Sequence, residues 1–329
     1  MKNKLFLILF FLLMANAVHS QYKNLRFTHL STADGLSRSH VTCSSQDARG
    51  FMWFGTSNGL NRYDGYDFSI YTYHQNDPYS ISHNYISSIC QDADGKMWVG
   101  TSDGLNVYDH AMHHFETFKH SDEHPGSISD DQIEAIIQDR RGRLWIGTRN
   151  GGVDRYDSET GQFIHYQHED GRSGISGNDV RVLFEDSGNR LWLGHWNGGI
   201  DIYEEQTDTF VPLFEDQRLT QSGIMDMAEL DSCLWIGTQS DGLYKIDLRD
   251  LRLSAVTHYR QSGENSLASN SVLSLMPDKD GHLWIGTENG GLDVLDVNRN
   301  VFYHNQVDPF DPGGLDSQFC LFNLQGSVG

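Results

Sequence analysis

Three consecutive residues, His195-Trp196-Asn197, put an imidazole, an indole and an amide side by side. An aromatic face can stack on a sugar ring, and amides can pair with its hydroxyls. Polar pairs of related type recur along the chain: Ser57-Asn58, Ser102-Asp103, Arg149-Asn150, Gln239-Ser240 and Glu288-Asn289. The candidate ligand-binding set is therefore His195, Trp196, Asn197, Arg149, Asn150, Asn58, Asp103, Gln239, Glu288 and Asn289. Arg149 could meet an acidic sugar or a loop carboxylate. Trp196 could equally pack on a neighbouring loop, with His195 a substituted turn residue.

Other chemistry is poorly supplied. Cleaving a glycosidic bond needs two converging carboxylates. Asp103 and Glu288 are the off-pattern acids, but four repeats separate them, or three the short way round a ring of seven, which is too far for joint work. No Gly-x-Ser-x-Gly or His-Glu-x-x-His signature occurs. His110, His113 and His114 fall on a surface turn, where no helix sets their spacing, and read as solvated. Asp92-Ala93-Asp94-Gly95 opens like a calcium loop but lacks the closing Glu. The four cysteines show no Cys-x-x-Cys zinc spacing. No catalytic residue, metal or cofactor is expected.

The elements that must position these residues come from a repeat. Leu144-Trp145-Ile146-Gly147-Thr148 has five relatives, at Met52-Trp53-Phe54-Gly55-Thr56, Met97-Trp98-Val99-Gly100-Thr101, Leu191-Trp192-Leu193-Gly194-His195, Leu234-Trp235-Ile236-Gly237-Thr238 and Leu283-Trp284-Ile285-Gly286-Thr287. Their tryptophans lie 45, 47, 47, 43 and 49 residues apart. A period in the forties with a Trp-Gly signature specifies a propeller.

One repeat shows the plan. Ile133 to Gln138 is strand one and Asp139-Arg140-Arg141-Gly142 a hairpin, whose Asp can accept backbone N–H groups. Arg143 to Thr148 is strand two, Val153 to Tyr156 strand three and Gln162 to Tyr166 strand four. Asp47, Asp92, Asp139, Asp186 and Asp278 stand six residues before their tryptophans, and Glu229 takes that place in the fifth repeat. Each buried Trp should contribute about 4–6 kcal/mol of apolar burial. The six repeated tryptophans are thus core, and strand-two-to-three turns share a face with the loops between blades. That face collects the candidate set.

The fold class is all-β: a propeller of four-stranded antiparallel blades, six complete plus a partial seventh. Leu25 to Leu30 alternates like an outer strand, and Phe319 to Leu324 resembles a first strand. The 231 residues over five intervals place a seventh Trp near position 330, past Gly329. Residues 21–329 are therefore read as a seven-bladed propeller truncated in blade seven, with six blades and frayed ends as the alternative.

Residues 1–20 differ in kind. Lys2 and Lys4 precede an apolar run from Leu5 to Ala17, then Val18-His19-Ser20. The run is short for a spanning helix and reads as a signal peptide. Disulfides are possible after export, yet the irregular spacing of Cys43, Cys90, Cys233 and Cys320 favours buried free thiols. With 24 basic and 45 acidic residues the formal charge is −21, which argues against a nucleic-acid or anionic-membrane partner.

The run Asp-x-x-Gly-x-Leu-Trp-Ile-Gly-Thr, the opening Phe27 through Asp34-Gly35-Leu36-Ser37, and the Ser127-Ile128-Ser129-Asp130 loop resemble the two-component-regulator propeller repeat. The resemblance covers residues 22–324. It implies the periplasmic sensor half of a hybrid two-component system of Bacteroidetes type. There the repeat usually forms two seven-bladed propellers, followed by a β-sandwich, a transmembrane helix, a histidine kinase, a receiver and a DNA-binding domain. Many such systems respond to oligosaccharides. Expected partners are an oligosaccharide, the remaining propeller and kinase of the receptor, and a second copy in a homodimer. This chain carries no kinase, so only the sensing role transfers. The alternatives are an exported protein-interaction scaffold and a propeller glycoside hydrolase or lyase.

Overall fold

The Trp-Gly repeats build six antiparallel sheets, each with four strands from one repeat in sequence order. The computed structural model describes Tyr22 and residues 25–168, 174–214, 219, 221–308, 310–311, 313–315 and 324–325. The expected signal peptide lies outside them. In the first blade Val41–Gln46 is innermost, followed outward by Met52–Thr56, Gly59–Tyr63 and Phe68–Tyr71. The third runs Ile133–Gln138, Leu144–Thr148, Val153–Asp157 and Gln162–Tyr166, as the repeat predicts. Every inner strand carries an irregularity near its start, such as that between Val180 and Val182 in the fourth blade. Such a bulge strengthens local twist.

Packing between blades explains the motif glycine. A Cβ on Gly237 would stand 2.6 Å from Val272, and one on Gly194 would stand 2.7 Å from Ile224. Both neighbours open the inner strand of the next blade. The strand-two glycine is thus a site of close approach, unlike the turn glycines, which relieve a positive φ.

The hairpin aspartates do more than cap a turn. Asp139 Oδ1 accepts the backbone N–H groups of Arg141 and Arg143, while Oδ2 accepts the Trp145 indole N–H at 2.9 Å. The same indole bond is made by Trp53, Trp98, Trp192 and Trp284. A buried N–H donor and a buried carboxylate satisfy one another, which keeps both from costing desolvation energy.

The fifth blade departs, and the expected role of Glu229 is corrected here. Glu229 pairs with Leu234, as Gln46 pairs with Met52, so it aligns one position before the aspartates. Its hairpin is one residue shorter, turning through Asp231 and Ser232, both at positive φ. Leu230 thereby occupies the carboxylate's place, and the buried Trp235 Nε1 has no hydrogen-bond partner in the structure.

The N-terminal expectation also changes. Residues 25–30 form no strand. Phe27 N–H donates instead to the Gly313 carbonyl at 3.0 Å, a loop rather than a ladder. Tyr22 packs edge-on to Trp284, with ring centroids 6.0 Å apart. Residues 316–323 are outside the described part. Leu324–Gln325 runs parallel to the inner strand of blade one, pairing Ser44 with Leu324.

Candidate functional site

In blades two to six the turn after strand two is tied to the loop that enters the same blade. Arg149 N–H donates to Gln132 O, Trp196 N–H to Asp179 O, Gln239 N–H to Gly223 O and Glu288 N–H to Ser271 O, at 2.9–3.1 Å. Buried Asn or Asp residues on strand three hold those loops from below. Asn61, Asn106, Asp154, Asp201 and Asp293 accept loop N–H groups from Ser37, Ser82, Ser129, Ser176 and Ala268. The candidate residues therefore stand on a face whose backbone is fixed before any ligand arrives.

Blades three and four carry a connected set of charged side chains on that face. Arg149 Nε donates to Glu134 Oε1 at 2.7 Å, and Arg181 Nη1 lies 3.0 Å from Glu134 Oε2. Arg181 also pairs with Asp179 at 2.6 Å, and its guanidinium covers the Trp196 ring 4.7 Å from the centroid. This is a ladder of alternating charge with an aromatic beside it. Glu134 and Arg181 hold equivalent places, second in their inner strands. Tyr85, exposed on the entering loop of blade two, belongs to the same surroundings. Burial pushes its phenol up first, and Glu134 adds to the rise while both arginines oppose it.

Trp196 remains 38% exposed, and its six-membered ring abuts Gly223. Asn197 accepts from Gly199 N–H and donates to Ser176 O, serving its own turn. Asn150 donates through backbone and side chain to Asp130. Asp103 pairs with Lys119 at 2.6 Å, and Glu288 accepts from Ser271 Oγ at 2.9 Å. Asn58, Gln239 and Asn289 are exposed. The structure thus joins Arg149 to Trp196 through Glu134 and Arg181, while Asp103 and Glu288 are tied within their own blades.

His195 lies beneath that face rather than on it. It is fully buried, with Nε2 2.6 Å from Asp201 Oδ2. In the other blades a Thr hydroxyl closes the turn by donating to a Gly carbonyl, as Thr148 does to Gly152 at 2.9 Å. His195 replaces that hydroxyl and braces Asp201, which accepts the Ser176 N–H and hydroxyl. It can support the surface but does not form it.

The remaining sequence candidates resolve simply. His113 pairs with the Tyr108 hydroxyl at 2.9 Å, and His110 receives Arg49 at 2.7 Å. Burial, then the Arg49 charge, lowers the pKa of His110. His114 lies against Tyr79. The Asp92 carboxylate is occupied by Lys96 N–H and the Trp98 indole. Among the described residues no group of three or more His, Cys, Asp or Glu is disposed to hold a metal ion. Cys43, Cys90 and Cys233 are buried free thiols, as expected, while Cys320 lies outside the described residues. Burial pushes the Cys43 thiol up to about 12 and that of Cys90 to about 11.

The two-component regulator propeller family matches five segments, residues 35–58, 80–103, 127–150, 174–197 and 266–289. Each ends in one of the strand-two-to-three turns just described. The chain belongs to the two-component regulator propellers. A histidine kinase of Formosa agariphila is 38% identical over 76 residues, 23% of this chain and 6% of the kinase. Two solved structures are extracellular domains of putative hybrid two-component systems of B. thetaiotaomicron. One is 25% identical with a TM-score of 0.53, over 83% of this chain and 42% of the other. The second is 24% identical with a TM-score of 0.67, over 90% and 44%, and shows the common fold. This propeller thus spans less than half the length of either solved domain. No described helix is long and apolar enough to cross a membrane.

Proposed function

We propose that this propeller is the ligand-sensing part of an extracytoplasmic, periplasmic receptor of the hybrid two-component type, and that it takes an oligosaccharide on the face carrying Trp196. The observation that carries the reading is the ladder Arg149–Glu134–Arg181–Asp179 beside Trp196. It departs from the repeat at several positions at once, whereas hairpin and core residues recur. The likeness to extracellular domains of two-component systems supports the sensing role. The rest of the receptor, its kinase included, is the proposed signalling partner. The role is binding rather than catalysis, since the acids on this face are engaged in ion pairs or turns.

The test is Trp196→Ala in the secreted chain, screened against an immobilised array of plant and host oligosaccharides. Loss of a wild-type signal with the circular dichroism spectrum intact supports the proposal. An unchanged signal removes Trp196 from the site, and an array blank for the wild type points to a protein-interaction scaffold instead.

A further inference from the structure

The charge pattern of the ladder bears on which class of saccharide would fit. This argument rests on the oligosaccharide reading above. Two guanidiniums, Arg149 and Arg181, alternate with two carboxylates, Glu134 and Asp179, in contacts of 2.6–3.0 Å. The set is neutral as a whole. Glu134 stands between the two arginines and engages both, and only 14% of its side chain is exposed. A sulfate or uronate seeking a bidentate guanidinium contact would have to displace that carboxylate. It would also approach a chain of formal charge −21, a penalty that salt screens over about 8 Å at physiological strength.

A neutral sugar meets no such barrier. Each hydroxyl both donates and accepts, and neighbouring hydroxyls present these roles in sequence. A row that alternates guanidinium donors with carboxylate acceptors offers matching groups, held still by one another. Trp196 adds apolar surface next to Arg181, and Tyr85 an exposed phenol. The geometry points to a site for a neutral oligosaccharide, in which Glu134 and Arg181 are direct contacts and Glu134 excludes acidic saccharides.

Isothermal titration of the whole chain tests this, with neutral gluco-, manno-, galacto- and xylo-oligosaccharides set against oligogalacturonides of matched length. A neutral member should bind with an affinity that changes less than about twofold between about 50 and about 500 mM NaCl. Glu134→Gln should weaken it about tenfold or more and, by leaving the ladder with a net positive charge, admit oligogalacturonide in a salt-sensitive manner. Arg181→Lys keeps the charge and loses the planar fork, and should weaken the neutral ligand too. Circular dichroism and melting temperature show that each variant is folded. Preferential binding of oligogalacturonide by the wild type overturns the inference and leaves the sensor reading standing. So does neutral binding indifferent to both variants. Binding of neither class overturns both.

Discussion

Glu229 accepts the backbone N–H of Ser187 at 2.5 Å and its hydroxyl at 2.6 Å, so a side chain of blade five holds the hairpin of blade four. The same reach is made by Gln91 to Ala48 N–H, Gln138 to Ala93 N–H and Glu185 to Arg140 N–H. Blades two to five thus each clasp the one before, through the residue ahead of the aspartate, while blade six has Pro277 at that position. In blade five the clasp survives and the aspartate is lost, because the hairpin is shorter on the far side of Glu229.

That loss makes the six tryptophans unequal. Trp145→Phe removes apolar volume and also takes the indole donor from Asp139, which is only 4% exposed and whose Oδ2 then keeps Arg143 Nε alone. Trp235→Phe removes the same volume and no hydrogen bond. The first substitution should therefore cost about 1.5–3 kcal/mol more than the second, the usual worth of a hydrogen bond to a charged acceptor. Urea unfolding of the two variants measures the difference. Equal losses would mean that the indole–carboxylate bonds add nothing net.

Close approach at the strand-two glycine gives a second expectation. Gly237→Ala forces a methyl to within 2.6 Å of Val272 Cγ1, on a residue that is itself fully buried. Overpacking of this kind costs about 1–3 kcal/mol. Val272→Ala opens space at the same spot, so the double variant should lose less than the sum of the single ones. A double-mutant cycle reads the coupling directly. Additive losses would show that the methyl is accommodated by movement elsewhere.

The scaffold was legible because the chain states it six times. A Trp-Gly pair at a steady interval fixes strand two, and hairpin and turn residues fix what lies on either side. Alignment by distance from Trp failed in blade five, where a hairpin one residue shorter moved Glu229 out of the aspartate's place. The candidate site was legible only in part. Arg149 and Trp196 stood out as departures in the turns, but Glu134 and Arg181 sit inside inner strands, where charge is easily read as strand polarity. Their signal was present: the equivalent residues are Thr42, Ser87, Met225 and Leu273, a position that varies while its neighbours repeat. His195 misleads for the opposite reason. It departs from the repeat, yet the departure serves a buried pairing with Asp201.

The seam between blades five and six supplies a pH dependence. Asp226, third in its inner strand, accepts Leu275 N–H of the next blade at 2.7 Å and Met227 N–H at 2.8 Å. Ser88 does the same work in blade two, accepting Ile136 N–H at 3.1 Å with no charge to bury. Burial raises the Asp226 carboxyl to about 7, against the two hydrogen bonds that lower it. The folded pKa therefore exceeds that of the unfolded chain, near 3.9. The folded state binds the extra proton, so its stabilising effect is complete below about pH 4 and is lost as the pH rises through 7. Across that window the wild type should lose up to about 1.4 kcal/mol per pH unit from this group, of order 4 kcal/mol in all. Asp226→Asn keeps an acceptor for Leu275 N–H and cannot ionise. Denaturant midpoints at intervals from pH 4 to 8 should show the wild type falling relative to the variant as the pH rises. Parallel curves would mean that Asp226 is charged at neutral pH and that the seam tolerates a carboxylate.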